Sequence, residues 1–93
     1  MEANKIKNRL IEIQQLYPAL TFDNNGYEYL SKEIRDNHKE QIDEISFIIK
    51  KIDSSFVKFF NFKPRKNGSF AIRYDYYYDK SFIGVNYLEI DKL

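Results

Sequence analysis

The apolar residues change their period once along the chain, and that change limits the possible folds more than any other feature. From Asn4 to Tyr17 they fall at Ile6, Leu10, Ile13 and Leu16, the three- and four-residue steps of one helix face. Pro18 closes this segment, because a proline drives the residue before it out of the α region. Helical steps return from Leu30 through Ile34, Ile42, Ile45, Ile49 and Ile52, with His38 in the one missing place. From Phe56 onward aromatic and β-branched residues take over, and turn signals recur between them. Helical segments followed by strands predict an α+β fold, with two helices packed on one face of a mainly antiparallel sheet. A chain of 93 residues has room for one such core, so residues 1–93 read as a single domain.

The finer divisions follow from turn and cap chemistry. Leu20-Thr21-Phe22 and Tyr27-Glu28-Tyr29 alternate around Asp23-Asn24-Asn25-Gly26, whose Asn-Gly pair suits a tight turn, so a small hairpin is expected between the helices. The second helix starts at Ser31 or at Asn37; Asn37 with Glu40 three residues later makes a capping box. Lys50 and Lys51 complement its negative end, and Phe47-Ile48-Ile49 widens its apolar face. Three strands come last, giving the order helix, hairpin, helix, three strands. With Pro64 to Gly68 as the first connection, Phe62 faces Phe70, Phe60 faces Ile72, Lys58 faces Tyr74 and Phe56 faces Tyr76. A three-residue connection at Asp79-Lys80-Ser81 would turn Phe82, Gly84, Asn86, Leu88 and Ile90 to the core, whereas a slip of one would turn Ile83, Val85 and Tyr87 inward. Both sets are apolar, and the choice stays open.

Composition excludes much chemistry. There is no cysteine, hence no disulfide, thiolate metal site or cysteine nucleophile, and the single His38 cannot form a histidine pair for a metal. No apolar run approaches the ~18 residues of a membrane span, and Met1-Glu2-Ala3-Asn4-Lys5 leads into a charged segment, so a cytoplasmic location is expected. Neither a glycine-rich phosphate loop nor a nucleophile elbow is present. Histidine is the residue type most suited to act as a general base, but His38 sits in the polar run Arg35 to Glu40, where a surface or boundary position is expected. The carboxylates of Asp75, Asp79, Glu89 and Asp91, or of Asp36, Glu40, Asp43 and Glu44, have no spacing that demands a catalytic cleft. The chain reads as a non-enzyme without cofactor or metal.

Charge is distributed more tellingly than its total of +1. Residues 1–53 carry eight Lys or Arg against ten Asp or Glu, whereas residues 54–93 carry seven against four. Lys58, Lys63, Arg65 and Lys66 gather at the first sheet connection beside Phe59, Phe60 and Phe62, a combination that can hold phosphates and stack bases. The pI near 7.9 is low for that task, which makes nucleic-acid binding the alternative reading. The densest feature is Arg73-Tyr74-Asp75-Tyr76-Tyr77-Tyr78-Asp79. Alternation sends Tyr74, Tyr76 and Tyr78 toward the helices and Arg73, Asp75, Tyr77 and Asp79 to the opposite face, which two helices cannot cover. Tyr and Arg are enriched at binding hot spots, so these four residues are the predicted partner-binding set, with Lys63, Arg65 and Lys66 as a second patch. A partner protein or a second copy of the chain would cover such a face.

The charged, tyrosine-rich stretch from Ser69 to Val85 resembles the C-terminal hairpins of small cysteine-free bacterial α+β proteins that act as immunity partners of secreted toxins. The contact-dependent growth inhibition systems are the type it is similar to. The resemblance covers about a fifth of the chain and carries no specific motif. It implies a non-catalytic inhibitor that occludes the active site of a cognate toxin or nuclease. Phage-encoded inhibitors of bacterial defence nucleases share the size and composition. Immunity partners of nucleases are often strongly acidic, and this chain is not.

Overall fold

The computed structural model describes residues 3–22, 29–53 and 55–93. Helix α1 (Ala3–Leu16) is followed by a 3₁₀ turn (Pro18–Leu20), helices α2 (Lys32–Asn37) and α3 (Lys39–Ile52), strands β1 (Phe56–Pro64), β2 (Phe70–Tyr78) and β3 (Ser81–Glu89), and a last 3₁₀ turn (Ile90–Lys92). The strands form one antiparallel sheet in the order β1-β2-β3. The helices lie on one of its faces, so the fold is α+β.

Helix α1 buries Ile6, Leu10 and Ile13, the stripe read from its spacing. Leu16 is exposed, because the helix ends there and Tyr17 takes over the packing. Pro18 opens the 3₁₀ turn instead of a strand, and Leu20 at its end is fully buried. Thr21 then makes an isolated parallel bridge to Phe62, and the Phe22 N–H donates to the Phe62 carbonyl at 2.9 Å. The turn expected at residues 23–28 lies outside the described residues.

The second helical segment is two helices meeting at His38. Ser31 caps α2, its Oγ accepting from the Ile34 N–H at 3.3 Å. Asn37 ends α2 and makes no capping box with Glu40; His38 is the residue before α3 and makes no side-chain cap. His38 Nδ1 donates to the Ile34 carbonyl at 2.8 Å, and its ring meets Tyr17 edge-on at 5.8 Å. That bond ties the junction to the turn before it and seats the imidazole at the boundary of the core. Helix α3 buries Ile45, Ile48 and Ile49, but Phe47 points to solvent with Lys51 Nζ 4.6 Å from its ring centre. Arg9 of α1 grips Glu44 of α3 through two bonds, Nε to Oε2 at 2.6 Å and Nη2 to Oε1 at 2.8 Å.

The sheet departs from the expected register at two bulges. Strand β1 pairs Phe62 with Ile72 and Lys63 with Ala71, then shifts between Phe59 and Asn61 so that Phe59 meets Tyr74 and Phe56 meets Tyr77. Strict alternation would place Phe60 and Phe62 on one face. The extra residue instead puts Val57, Phe59 and Phe62 toward the helices, in the main core, while Phe60 is buried outside that cluster. The first connection closes with Arg65 N–H to the Ser69 carbonyl at 2.9 Å, and Gly68 supplies a φ of +86°. The second is a two-residue turn, with φ of 49° at Asp79 and 67° at Lys80, the primed-turn sense that matches strand twist. A second shift, between Tyr76 and Tyr77, pairs Tyr76 with Gly84 but Tyr77 with Phe82. Gly84, Asn86 and Leu88 therefore share the helix-side rows, and Phe82 moves to the opposite face with Tyr77.

Candidate functional site: the outer face of the sheet

The sheet face away from the helices is built in cross-strand rows. At one end Phe56, Tyr77 and Phe82 stand side by side, one from each strand. Their rings touch in sequence, Phe56 to Tyr77 at 5.6 Å and Tyr77 to Phe82 at 5.8 Å between centres. The next row is Lys58, Asp75 and Val85, then Asn61, Arg73 and Tyr87, then Lys63, Ala71 and Glu89.

The middle of this face is not open. Arg73 is 1% exposed and Asp75 0%, which corrects their assignment to an outward surface. The Tyr29 hydroxyl donates to Asp75 Oδ2, and the Tyr29 ring packs on Phe60 at 5.3 Å. The Arg73 guanidinium lies between two rings, 5.5 Å from Phe60 and 5.7 Å from Tyr87. A guanidinium is planar and weakly hydrated, so it stacks on aromatic faces where an ammonium would hold its water. Alternation alone could not reveal this, because Tyr29 is more than forty positions distant in sequence and the Phe60 bulge has no sequence signature.

Of the other predicted residues, Asp79 is exposed in the β2–β3 turn and Tyr77 is half-buried within the aromatic row. Burial pushes the Tyr77 hydroxyl above the ordinary tyrosine range, and the charge of Asp75 adds to it. In the second patch Arg65 is engaged: its Nε and Nη2 donate to the two Glu89 oxygens at 2.9 and 2.6 Å, and its guanidinium lies 5.3 Å from the Tyr87 ring. The bonds to Glu89 raise the Arg65 pKa, chiefly through the hydrogen bonding itself. Lys63 is half-buried beside this pair, and Lys66 is exposed in the turn. The seven residues therefore separate into a buried pair, a carboxylate-bound arginine and four more accessible side chains.

Sequence reasoning missed Phe56 and Phe82 because the strand register decides both. The expected pairing of Phe56 with Tyr76 is one residue away from the real one, with Tyr77, and the register of β3, which places Phe82 opposite Tyr77, stayed open in the sequence. The resulting open surface combines Phe56 at 57% exposure and Phe82 at 50% with the half-buried Tyr77, and Lys58 Nζ lies 5.9 Å from the Tyr77 ring centre. Among the described residues no three His, Cys, Asp or Glu side chains are grouped to hold a metal ion, and no helix is long and apolar enough to cross a membrane. A groove of about 770 Å³ runs beside β1 and is lined by residues of both signs, including Arg35, Asp36, Lys39 and Asp43. No protein family, no curated protein and no solved structure matches the chain.

Proposed function

We propose that this protein is a non-catalytic inhibitor that binds a partner protein through the open end of its outer sheet face, and that the partner is a bacterial toxin or nuclease whose active site it occludes in the cytoplasm. The observation that carries the binding reading is the row Phe56, Tyr77 and Phe82: three rings that touch in sequence across all three strands, with Phe56 and Phe82 exposed on either side of the half-buried Tyr77. Aromatic side chains held rigid by their neighbours lose little freedom on binding and bury much area, which is the character of a hot spot. Lys58 and Asp79 at its margin supply charge that would orient a partner. The toxin-inhibitor part of the reading rests on the resemblance of residues 69–85 to immunity proteins.

The test is a binding measurement against the product of the neighbouring gene, since an immunity protein is encoded beside its toxin. Phe82→Ala and Tyr77→Ala should each weaken binding by about 1–2 kcal/mol or more while the melting temperature of Phe82→Ala stays close to that of the parent. Unchanged dissociation constants for both variants would refute the assignment of this surface.

A second reading is favoured by one contact, the Lys58 ammonium beside the Tyr77 ring, since cations next to exposed rings also suit single-stranded nucleic acid. It predicts oligonucleotide affinity that falls steeply with salt. The commitment of Arg65 to Glu89 removes one of the four cations expected to meet phosphates, and for that reason the protein partner is preferred.

A further inference from the structure

The two halves of the β1 edge are finished differently. The second half is paired by the chain itself: Thr21 bridges Phe62 in parallel, and the Phe22 N–H donates to the Phe62 carbonyl at 2.9 Å. The first half, Phe56 to Phe59, instead borders the groove of about 770 Å³ against α2 and α3. In an antiparallel ladder the backbone groups of successive residues point to opposite sides of the strand. The Phe59 N–H leaves the sheet for Ser46 Oγ at 3.4 Å, so Val57, two residues back in the same unbroken register, also directs its N–H and C=O off the sheet on this side. Among the described residues no group outside the sheet hydrogen-bonds to them. The groove therefore holds a vacant ladder position above an apolar floor of Val57, Phe59 and Ile42.

The rims of the groove carry an excess of positive charge. Asp36 is held by Lys32, Nζ to Oδ2 at 2.6 Å. Among the described residues Arg35 and Lys39 on the helix rim and Lys58 on the strand rim form no ion pair, and Asp43 is the one uncommitted carboxylate opposing them. Lys58 lies beside the Tyr77 ring, a contact that leaves its charge uncompensated.

We propose that this groove takes an extended acidic segment of a partner protein as an added strand beside Phe56 to Phe59. The backbone of the segment completes the ladder at Val57, and an apolar side chain sits on Ile42. Its carboxylates meet Lys58 on one rim and Arg35 and Lys39 on the other. The chain's own use of the neighbouring half of this edge, at Phe62, shows that β1 accepts a strand here. A nucleic acid would satisfy the cations but leave the Val57 C=O without a donor, which favours a peptide. Phe56 and Lys58 border both surfaces, so the added strand continues the aromatic row by one more position. The inference rests on the reading of the protein as a binder of a partner protein and names the kind of segment bound.

The test uses the full chain and a synthetic peptide of about twelve residues with alternating glutamate and valine, capped at both ends, beside a copy with lysine for every glutamate. The glutamate peptide should bind at least about tenfold more tightly than the lysine peptide, and its binding should weaken as salt rises. In amide NMR spectra it should shift Val57, Lys58 and Phe59. Arg35→Glu with Lys39→Glu, both exposed side chains, should reverse the preference in a protein that remains folded. Failure of the glutamate peptide to bind at millimolar concentration, equal binding of the two peptides, shifts confined to other residues, or an unreversed preference each overturns the proposal. So does protection of the Val57 amide that grows with protein concentration alone, which marks a second copy, or displacement of the peptide by a single-stranded oligonucleotide, which marks a nucleic-acid site. The aromatic row is measured separately, with Phe82→Ala on the product of the neighbouring gene, so either reading can fail while the other stands.

Discussion

The two faces of the sheet solve the same burial problem with different materials. On the helix side, Phe59, Phe62, Phe70, Ile72 and Tyr74 pack against isoleucines and leucines of α1 and α3, and rings meet rings at 5.1 Å in both the Phe59–Phe62 and Phe62–Phe70 pairs. On the outer side, Arg73 and Asp75 are as deeply buried as any of these, between Phe60, Tyr87 and Tyr29. The difference shows that a charged residue in alternation with core residues does not mark an exposed face. A strand segment beside large rings can bury a guanidinium and a carboxylate where their hydrogen bonds and stacking replace water. The outer face is consequently divided, with a closed polar centre and an open aromatic end.

Substitutions can break this contrast in order of size. Phe62→Ala should cost about 3–5 kcal/mol in urea denaturation, since it empties a fully buried ring position in contact with two other rings. Asp75→Ala should cost about 1–3 kcal/mol by the same measurement, through the loss of the carboxylate that Tyr29 donates to. Tyr29→Phe removes the same bond from the other side, so the double variant should be less destabilised than the sum of the two single changes. Additive losses would mean that the closed centre does not depend on that contact.

The Arg9–Glu44 pair allows a pH test on the helix side. Hydrogen bonding to Arg9 holds the Glu44 carboxyl below the ordinary glutamate value of 4.5. A group with a lowered folded-state pKa stabilises above its unfolded value and loses that contribution as pH falls through the folded one. Thermal melts from pH 6 downward should therefore show a loss below 4.5 that is smaller in Glu44→Gln. The pair is partly solvent-exposed, so its contribution is within about 1 kcal/mol. The smallest effect belongs to the open end: Phe82→Ala should change stability by about 0.5 kcal/mol or less.

Much of the architecture was legible because burial writes a period into the chain. The steps Ile6, Leu10, Ile13 and Ile45, Ile49 marked the helix faces, and alternation in residues 70–78 marked β2. The break at His38 was not legible, although its polar neighbours were noticed, because it depends on a single side-chain bond to the Ile34 carbonyl. The predicted site was legible in part. Tyr77 was singled out, but its ring neighbours Phe56 and Phe82 were not, since one bulge and a two-residue turn decide which face each occupies.

By itself the sequence determined the class of fold, the order of helices before strands, and the absence of cysteine chemistry, because period and composition are local properties of the chain. Tertiary structure alone decided which sheet face is closed, that Arg73 and Asp75 are interior, and that three rings line up across three strands. Side-chain direction in a strand reverses with every residue, so one extra residue in a ladder exchanges the two faces. Whether that extra residue is accommodated depends on what the facing strands and distant segments such as Tyr29 can pack against it.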